Sequence, residues 1–291
     1  MPTGGDTLLF VKHELEHVVV EDIVKRALME DLGAGDVTTD ACIEPAMQAV
    51  ASAVARTPMV ACGAAVFERV FAMLDPDIVV ERRVTDGALV AAGATLWAVR
   101  GRARSILMGE RVALNFIQRM IGIASMARAF VDAVPAGCHT RITDTRKTTP
   151  GLRPLERYAV RVGGAHNHRD NLGSAVLIKD NHVAACGGVR IAIERARARA
   201  PHTSRIECEV DSLEQLDTAL SAGADIVLLD NMNDADVAEA CRRARGKAVT
   251  EASGGITLSR VEALARIGVD VISVGALTHS VKAADVGLDF A

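Results

Sequence analysis

The six cysteines, at 42, 62, 138, 186, 208 and 241, include no CxxC pair and form no ladder of spacings. This argues against a disulfide framework and a zinc ribbon, and in an intracellular setting predicts buried free thiols. No GxGxxG run is present, so the common dinucleotide fingerprint is missing. Uncharged stretches such as Thr57–Phe67 fall far short of the roughly 20 apolar residues that span a membrane. Lys12, Glu14 and Glu16 interrupt the first apolar stretch, which therefore does not read as a signal peptide. What remains is ordinary globular composition, with 49% hydrophobic and 24% charged residues in 291 positions. That length suits one large domain or two of usual size. The expectation is a cytoplasmic, enzyme-sized protein with neither a nucleic acid nor a membrane as partner.

The formal net charge is −4, yet the stretch Arg141–Val183 carries eight Lys or Arg (141, 146, 147, 153, 157, 161, 169, 179) against four acids (144, 156, 170, 180). His166, His168 and His182 add further donors. A local excess of cations in an acidic chain indicates a focused anion site, not a general polyanion surface. These cations lie beside turn signals, Thr148-Thr149-Pro150-Gly151 and Gly163-Gly164, where functional groups are displayed.

Along the chain, helical spacing over Val18–Leu32 predicts a helix closed by Gly33, followed by a polar loop over Glu30–Thr39 whose acids read as caps. Residues 47–101 read as a small α+β unit. Short β-prone runs (50–56, 78–84, 89–90, 95–100) surround a helix at 64–74. Ser105–Val134 is one long helix, with Arg111 and Arg119 off its apolar face, where a solvated role is the plainer reading for both. After Ala136, strands and helices alternate through about six units, which demands parallel strands joined by helical crossovers. Without a dinucleotide fingerprint this favours an α/β fold with a TIM-like βα barrel, complete or open. Successive strands end in Glu209, Asp230, Glu251 and Ser273, groups that a barrel brings to one mouth.

Three constellations follow. Ser253-Gly254-Gly255, and one unit later Ser273-Val274-Gly275-Ala276, place glycines in two successive βα loops. There backbone N–H groups can approach a phosphate, although ordinary tight turns would look the same. Glu209 and Asp230 could hold Mg²⁺, accept hydrogen bonds from sugar hydroxyls, or pair with the basic cluster. Arg146-Lys147, His168-Arg169 and Lys179 sit at strand ends or after the double glycine, with forks and point charges suited to carboxylates. His166-Asn167-His168 also has the spacing of a zinc ligand pair. However, it follows a helix instead of ending a strand, and Arg161 and Arg169 flank it.

The strings Asp144-Thr145-Arg146-Lys147-Thr148-Thr149-Pro150-Gly151-Leu152-Arg153, Asn167-His168-Arg169, Leu177-Ile178-Lys179-Asp180-Asn181-His182, Leu228-Leu229-Asp230-Asn231 and Glu251-Ala252-Ser253-Gly254-Gly255-Ile256 resemble the quinolinate phosphoribosyltransferase family. Glu30–Gly33, Gly35–Thr38, Glu110–Phe116, Glu209-Val210 and Ile272–Gly275 extend the resemblance over nearly the whole chain. It implies an N-terminal α/β sandwich (1–115), an open α/β barrel (116–279), and a tail (280–291) packed with the first domain. It also implies a head-to-tail homodimer with shared sites and a reaction of quinolinate with phosphoribosyl pyrophosphate and Mg²⁺. The products would be nicotinate mononucleotide, pyrophosphate and CO₂.

By the same resemblance, Arg111 of the partner subunit, with Arg146, His168, Arg169 and Lys179, would hold the substrate carboxylates. Lys147 would lie near the phosphoribosyl and pyrophosphate groups. Glu209 and Asp230 would bind ribose hydroxyls or Mg²⁺, and Ser253, Gly254, Gly255, Gly275 and Ala276 would take the 5′-phosphate. The catalytic set is then Lys147, Lys179, Glu209 and Asp230. Two departures from the family pattern are Ala165, where a third glycine is common, and Ser174, at a frequently acidic position. Alternatives are a related barrel acting on another anionic acceptor, which Lys179 and His168-Arg169 oppose, and a non-catalytic phosphosugar binder, which the presence of Glu209 and Asp230 opposes.

Overall fold

Glycine- and proline-broken β runs followed by one long amphipathic helix build the first layer of the structure. The computed structural model describes Leu15 and residues 17–291; Lys12, Glu14 and Glu16, on which the signal-peptide reading rests, lie outside the described residues. The elements begin with α1 (His17–Leu32), α2 (Val37–Cys42), β1 (Gln48–Ala55), β2 (Met59–Val60), α3 (Ala64–Leu74), β3 (Val79–Arg82), β4 (Leu89–Val90), β5 (Thr95–Arg102) and α4 (Ala103–Asp132). They continue with β6 (Arg141–Thr143), α5 (Arg153–Val162), β7 (Val176–Ile178), α6 (Asp180–Cys186), α7 (Val189–Arg199), β8 (Ile206–Val210) and α8 (Leu213–Ser221). The last are β9 (Ile226–Asp230), α9 (Asp234–Ala244), β10 (Val249–Ser253), α10 (Leu258–Ile267), β11 (Val271–Ser273), α11 (Ala276–His279) and β12 (Val286–Phe290).

The expected polar loop over Glu30–Thr39 is shorter than its composition suggests. Asp36 accepts the backbone N–H of Thr39 at 2.9 Å and so caps the short α2, giving Thr38 and Thr39 a helical conformation. Of the six cysteines expected to be buried free thiols, all are free but only Cys62 and Cys208 are buried; Cys42 is exposed.

The first sheet is antiparallel, in the order β12-β1-β5-β3. Its buried face carries Trp97, which packs with Phe67 and Phe71 of α3 at ring-centroid separations of 5.3 Å and 5.0 Å along the chain Trp97–Phe67–Phe71. The C-terminal β12 pairs with β1 from Ala51↔Phe290 to Ala55↔Val286, which brings the tail onto this domain.

The second sheet is wholly parallel, in the order β6-β11-β10-β9-β8-β7. Strands β8 and β10 are buried along most of their length because helices cover one face and the barrel interior the other. β6 and β7 do not pair with each other, so the barrel is open. His166 adds one parallel bridge outside β6 at Thr143, extending the sheet into the gap.

Helix α4 binds the two sheets into one core. Buried residues recur along its 30 positions, from Ile106 through Val112, Phe116 and Ile117 to Ala124 and Phe130. Its last third meets α5, where Gly163 lets the backbones touch. A Cβ at Gly163 would lie 2.5 Å from the Ala124 carbonyl oxygen and 2.6 Å from the Ala127 Cβ. Gly163→Ala is expected to lower stability by about 1–3 kcal/mol, because two backbones must separate to admit one methyl group. Urea unfolding checks this, and an unchanged midpoint would show that the crossing yields.

Candidate active site

Asp144, the residue after β6, carries a fully buried carboxylate. It accepts the backbone N–H of His168 at 2.7 Å on Oδ1 and the side-chain amide of Asn167 at 2.7 Å on Oδ2. Burial pushes the Asp144 carboxyl above the usual range, against the opposing pull of the His168 N–H, the Arg157 charge and Asn167. Arg157 of α5 reaches behind the same segment and donates to the carbonyls of His168 at 2.9 Å and Arg169 at 3.1 Å. Arg161 donates to the Asn167 side chain. The Asn167-His168-Arg169 segment is therefore fixed from the rear, which leaves its forward side chains free to meet a ligand.

In front of this frame the cations gather, and two of them, Arg146 and Arg169, form no salt bridge among the described residues. Arg169 donates to the Ala175 carbonyl at 3.2 Å. Burial, and then the neighbouring charge of Arg146, push the Arg169 guanidinium below its ordinary pKa. Arg146 Nε is buried and unpaired. Two guanidiniums brought close in this way, with Glu207 the acid whose charge opposes their repulsion at Arg169, favour an incoming anion. Lys179, at the start of α6, lies 3.1 Å from Glu209 at the end of β8, which joins the cation group to the first acid.

The phosphate-type turns sit beside them. In-register pairing places Ser253 opposite Asp230 on adjacent strands. Gly254, in the left-handed region at φ 85°, folds over Asn231, and a Cβ there would lie 2.2 Å from the Asn231 side-chain oxygen. Asn231 is itself left-handed at φ 55° and donates to Asp230 Oδ2 at 2.7 Å. The two turns therefore interlock, and a residue with a side chain at Gly254 would drive them apart. On the next unit, Ser273 Oγ is buried without a partner, and the Lys147 stem lies over Gly275, with Cδ 3.2 Å from where a Cβ would stand.

Deeper in the barrel is a cluster that sequence reasoning assigned only in part. His168 Nε2 faces Glu207 at 3.3 Å and Glu251 at 3.5 Å. Both acids are only 4% exposed, so each depends on a close partner. His168 Nδ1 accepts the Arg169 backbone N–H at 2.7 Å, which places the proton of a neutral ring on Nε2, toward the carboxylates. Burial alone would depress this imidazole. The hydrogen bonds and charges of Glu207 and Glu251 outweigh it and raise the pKa to about 10. Burial also raises the Glu207 carboxyl. Of the His166-Asn167-His168 pair expected to have zinc-ligand spacing, only His168 joins this group of potential ligands with Glu207 and Glu251, so the structure does not use the two histidines together.

Arg146, Lys147, His168, Arg169, Lys179, Glu209, Asp230, Ser253, Gly254, Gly255, Gly275 and Ala276 all lie at or just beyond the strand ends that form this mouth. Arg111 does not join them. It is exposed on α4 and makes no ion pair among the described residues. Arg119, for which solvation was the plainer reading, is half-buried and pairs with the buried Glu156 at 2.6 Å. Asp144, Glu207 and Asn231 carried no recognisable role in the sequence, although alternation along β8 places Glu207 on the same face as Glu209. His279, at the end of α11, also went unnoticed. A Cβ on Gly275 would stand 3.0 Å from its Nε2, so His279 flanks the phosphate-type turn.

Residues 36–121 match the quinolinate phosphoribosyl transferase N-terminal domain model, and residues 123–289 match its C-terminal domain model. The chain belongs to this family. A carboxylating nicotinate-nucleotide pyrophosphorylase of Mycobacterium leprae is 44% identical over 284 residues, covering 95% of this chain and 99% of that protein. A decarboxylating quinolinate phosphoribosyltransferase of Nicotiana glauca is 40% identical over 289 residues, covering 92% and 81%. The solved nicotinate-nucleotide pyrophosphorylase of Francisella tularensis superposes with a TM-score of 0.90 at 37% identity, covering 96% of this chain and 98% of that one.

Of the two departures from the family pattern, Ala165 is buried beside β6. Ser174 accepts the N–H groups of Asp170 at 3.0 Å and Asn171 at 3.2 Å and closes the loop after Arg169.

The raised pKa of His168 has a defined sign. Its stabilising effect is complete below the unfolded value of about 6.5 and is lost as pH rises toward the folded value. The stability difference between wild type and His168→Gln should therefore shrink steadily from pH 7 to pH 10, as measured by chemical denaturation. A constant difference would mean that the ring is neutral throughout.

Proposed function

We infer that this protein is a carboxylating nicotinate-nucleotide pyrophosphorylase. It transfers the phosphoribosyl group of phosphoribosyl pyrophosphate to quinolinate, releasing pyrophosphate and CO₂ and giving nicotinate mononucleotide for NAD biosynthesis. The observation that carries this reading is the pair Arg146–Arg169, which makes no salt bridge among the described residues, in one mouth with Lys179 and with the Gly254 turn interlocked with Asn231. A dicarboxylate and a phosphosugar match those two halves, and the family's relatives carry the corresponding names.

Arg146, Arg169, Lys179 and the charged His168 bind the quinolinate carboxylates and direct the ring nitrogen toward the sugar C1. Ser253, Gly254, Gly255, Gly275 and Ala276 take the 5′-phosphate through backbone N–H groups, and Lys147 lies over the same turn toward the leaving pyrophosphate. As pyrophosphate departs, positive charge builds on the ribose. Glu209 and Asp230, at adjacent strand ends, lie where that charge or the ribose hydroxyls can be met. Decarboxylation at C2 then leaves an electron pair stabilised by the adjacent quaternary ring nitrogen, a proton from solvent takes the place of CO₂ at C2, and no Schiff base is required.

The donor chemistry of Glu209 and Asp230 fits Mg²⁺. Both supply carboxylate oxygens, and each has one oxygen free of the contacts to Lys179 and Asn231. A pair of carboxylates that leaves the remaining positions to phosphates and water is the usual protein share of a Mg²⁺ site. When bound, Mg²⁺ neutralises the leaving group.

A homodimer with shared sites accounts for Arg111, which is exposed and unpaired on α4 and would enter the partner's mouth. The unpaired edge of β7, with a cleft of about 550 Å³ lined by Leu172, Val176, Ala192 and Ala196, offers apolar surface for such a partner. A cytoplasmic location accords with six free thiols. No helix among the described residues is long and apolar enough to cross a membrane.

The deciding assay follows CO₂ release from quinolinate with phosphoribosyl pyrophosphate and Mg²⁺, with nicotinate as competitor. Turnover of quinolinate alone is expected; turnover of nicotinate alone would move the acceptor to another acid. Arg111→Ala and Lys179→Ala should each be inactive, and mixing them should restore about a quarter of wild-type activity if twofold dimers exchange at random. No recovery on mixing would confine each site to one subunit. Arg169→Ala should lower kcat/KM by about 10²–10³-fold, as for loss of a preorganised donor.

A further inference from the structure

The rear of the site is held at two separate places by neighbouring residues of α5. Arg157 fixes the carbonyls of His168 and Arg169, the dicarboxylate end. Glu156, one residue earlier and 1% exposed, turns to the other end. It pairs with Arg119 of α4 at 2.6 Å and accepts the Thr149 backbone N–H at 3.1 Å. Arg119 extends the same fork to Thr149 Oγ1 at 2.8 Å and to the Thr278 carbonyl at 2.7 Å. Thr278, fully buried in α11, donates its hydroxyl to the Lys147 carbonyl at 2.8 Å. The Lys147 N–H donates to Thr145 Oγ1 at 3.1 Å, so the backbone of this lysine is held on both sides.

We propose that Arg119 and Glu156, acting through Thr149 and Thr278, position Lys147 against the Gly275 turn and thereby set affinity for the pyrophosphate-bearing sugar, independently of the dicarboxylate. A buried ion pair whose only role is packing could be replaced by apolar residues without loss. Here Glu156 Oε2 and Arg119 Nη2 are spent on Thr149, in the loop that carries Lys147, and on Thr278 of α11, which must meet it. Lys147 is itself exposed at its tip, so nothing in front of it fixes its direction. A point charge on a flexible stem binds phosphate well only when its base is held. Arg119 is a positioning residue on this account, since it touches the loops and not the reacting groups.

The inference rests on the transferase reading, and the test separates the two. Thr278→Val removes one hydroxyl and keeps the shape; Arg119→Lys keeps the charge and loses the fork. KM for phosphoribosyl pyrophosphate and for quinolinate would be measured separately, together with calorimetric binding of phosphoribosyl pyrophosphate with Mg²⁺ and thermal melting. For Thr278→Val the expected result is about a tenfold rise in phosphosugar KM and Kd, the size of one hydrogen bond, with quinolinate KM unchanged. Arg119→Lys should show a larger rise of the same kind. Parallel rises in both KM values, or no change in either, would overturn the inference, and Thr278→Val suffices if Arg119→Lys does not fold. A wild type that fails to turn over quinolinate would instead overturn the transferase reading beneath it.

Discussion

Cations that repel one another are held in one barrel mouth by contacts made behind them. Burial, and then the nearby charge of Arg146, lower the proton affinity of Arg169, and no acid among the described residues forms a salt bridge with either arginine. What fixes them is the buried frame: Asp144 on the His168 N–H, Arg157 on two carbonyls, and Glu156 on the Thr149 N–H. An acid placed among the guanidiniums would neutralise the site and compete with substrate. Anchoring through backbone groups avoids that competition, and the cost of crowding like charges is borne by a rigid scaffold.

That scaffold depends on α4. One face of the helix packs on α3 and the antiparallel sheet, and its C-terminal third meets α5 at Gly163. The expected boundary at 115/116 falls within this helix, so one element serves both sheets. Arg111 and Arg119 are eight residues apart on it, about 12 Å along the axis. They face different surroundings: solvent for the first, the interior of its own subunit for the second.

The alternation of strand and helix was legible in the sequence because parallel strands need crossovers and glycines mark their ends. Glu209, Asp230 and the glycine turns were legible for the same reason, since strand ends share one mouth. Less was readable where a partner lies far along the chain. Arg119 and Glu156 are 37 positions apart, and helical periodicity cannot show that a charge on a polar face meets another helix. Asp144 and Glu207 were silent because burial of an acid depends on tertiary neighbours. The short α6, α11 and β12 fell below the length at which periodicity speaks, and α2 was hidden because a cap and one turn look like a polar loop.

The pairing of β12 with β1 bears on how the chain reaches its folded state. Val286–Phe290 bonds to Ala51–Ala55 across the whole barrel sequence. The strands β1, β3 and β5 emerge first during synthesis, yet β1 stays bare on one side until some 180 further residues, Arg102 to Val286, have left the ribosome. Such long-range closure is slow, because loop entropy must be overcome before the contact rewards it. The barrel units between are built from local crossovers and can consolidate in the interval. The early sheet thus waits for its last strand with a row of open amides on β1, a place where it can mispair with another nascent copy.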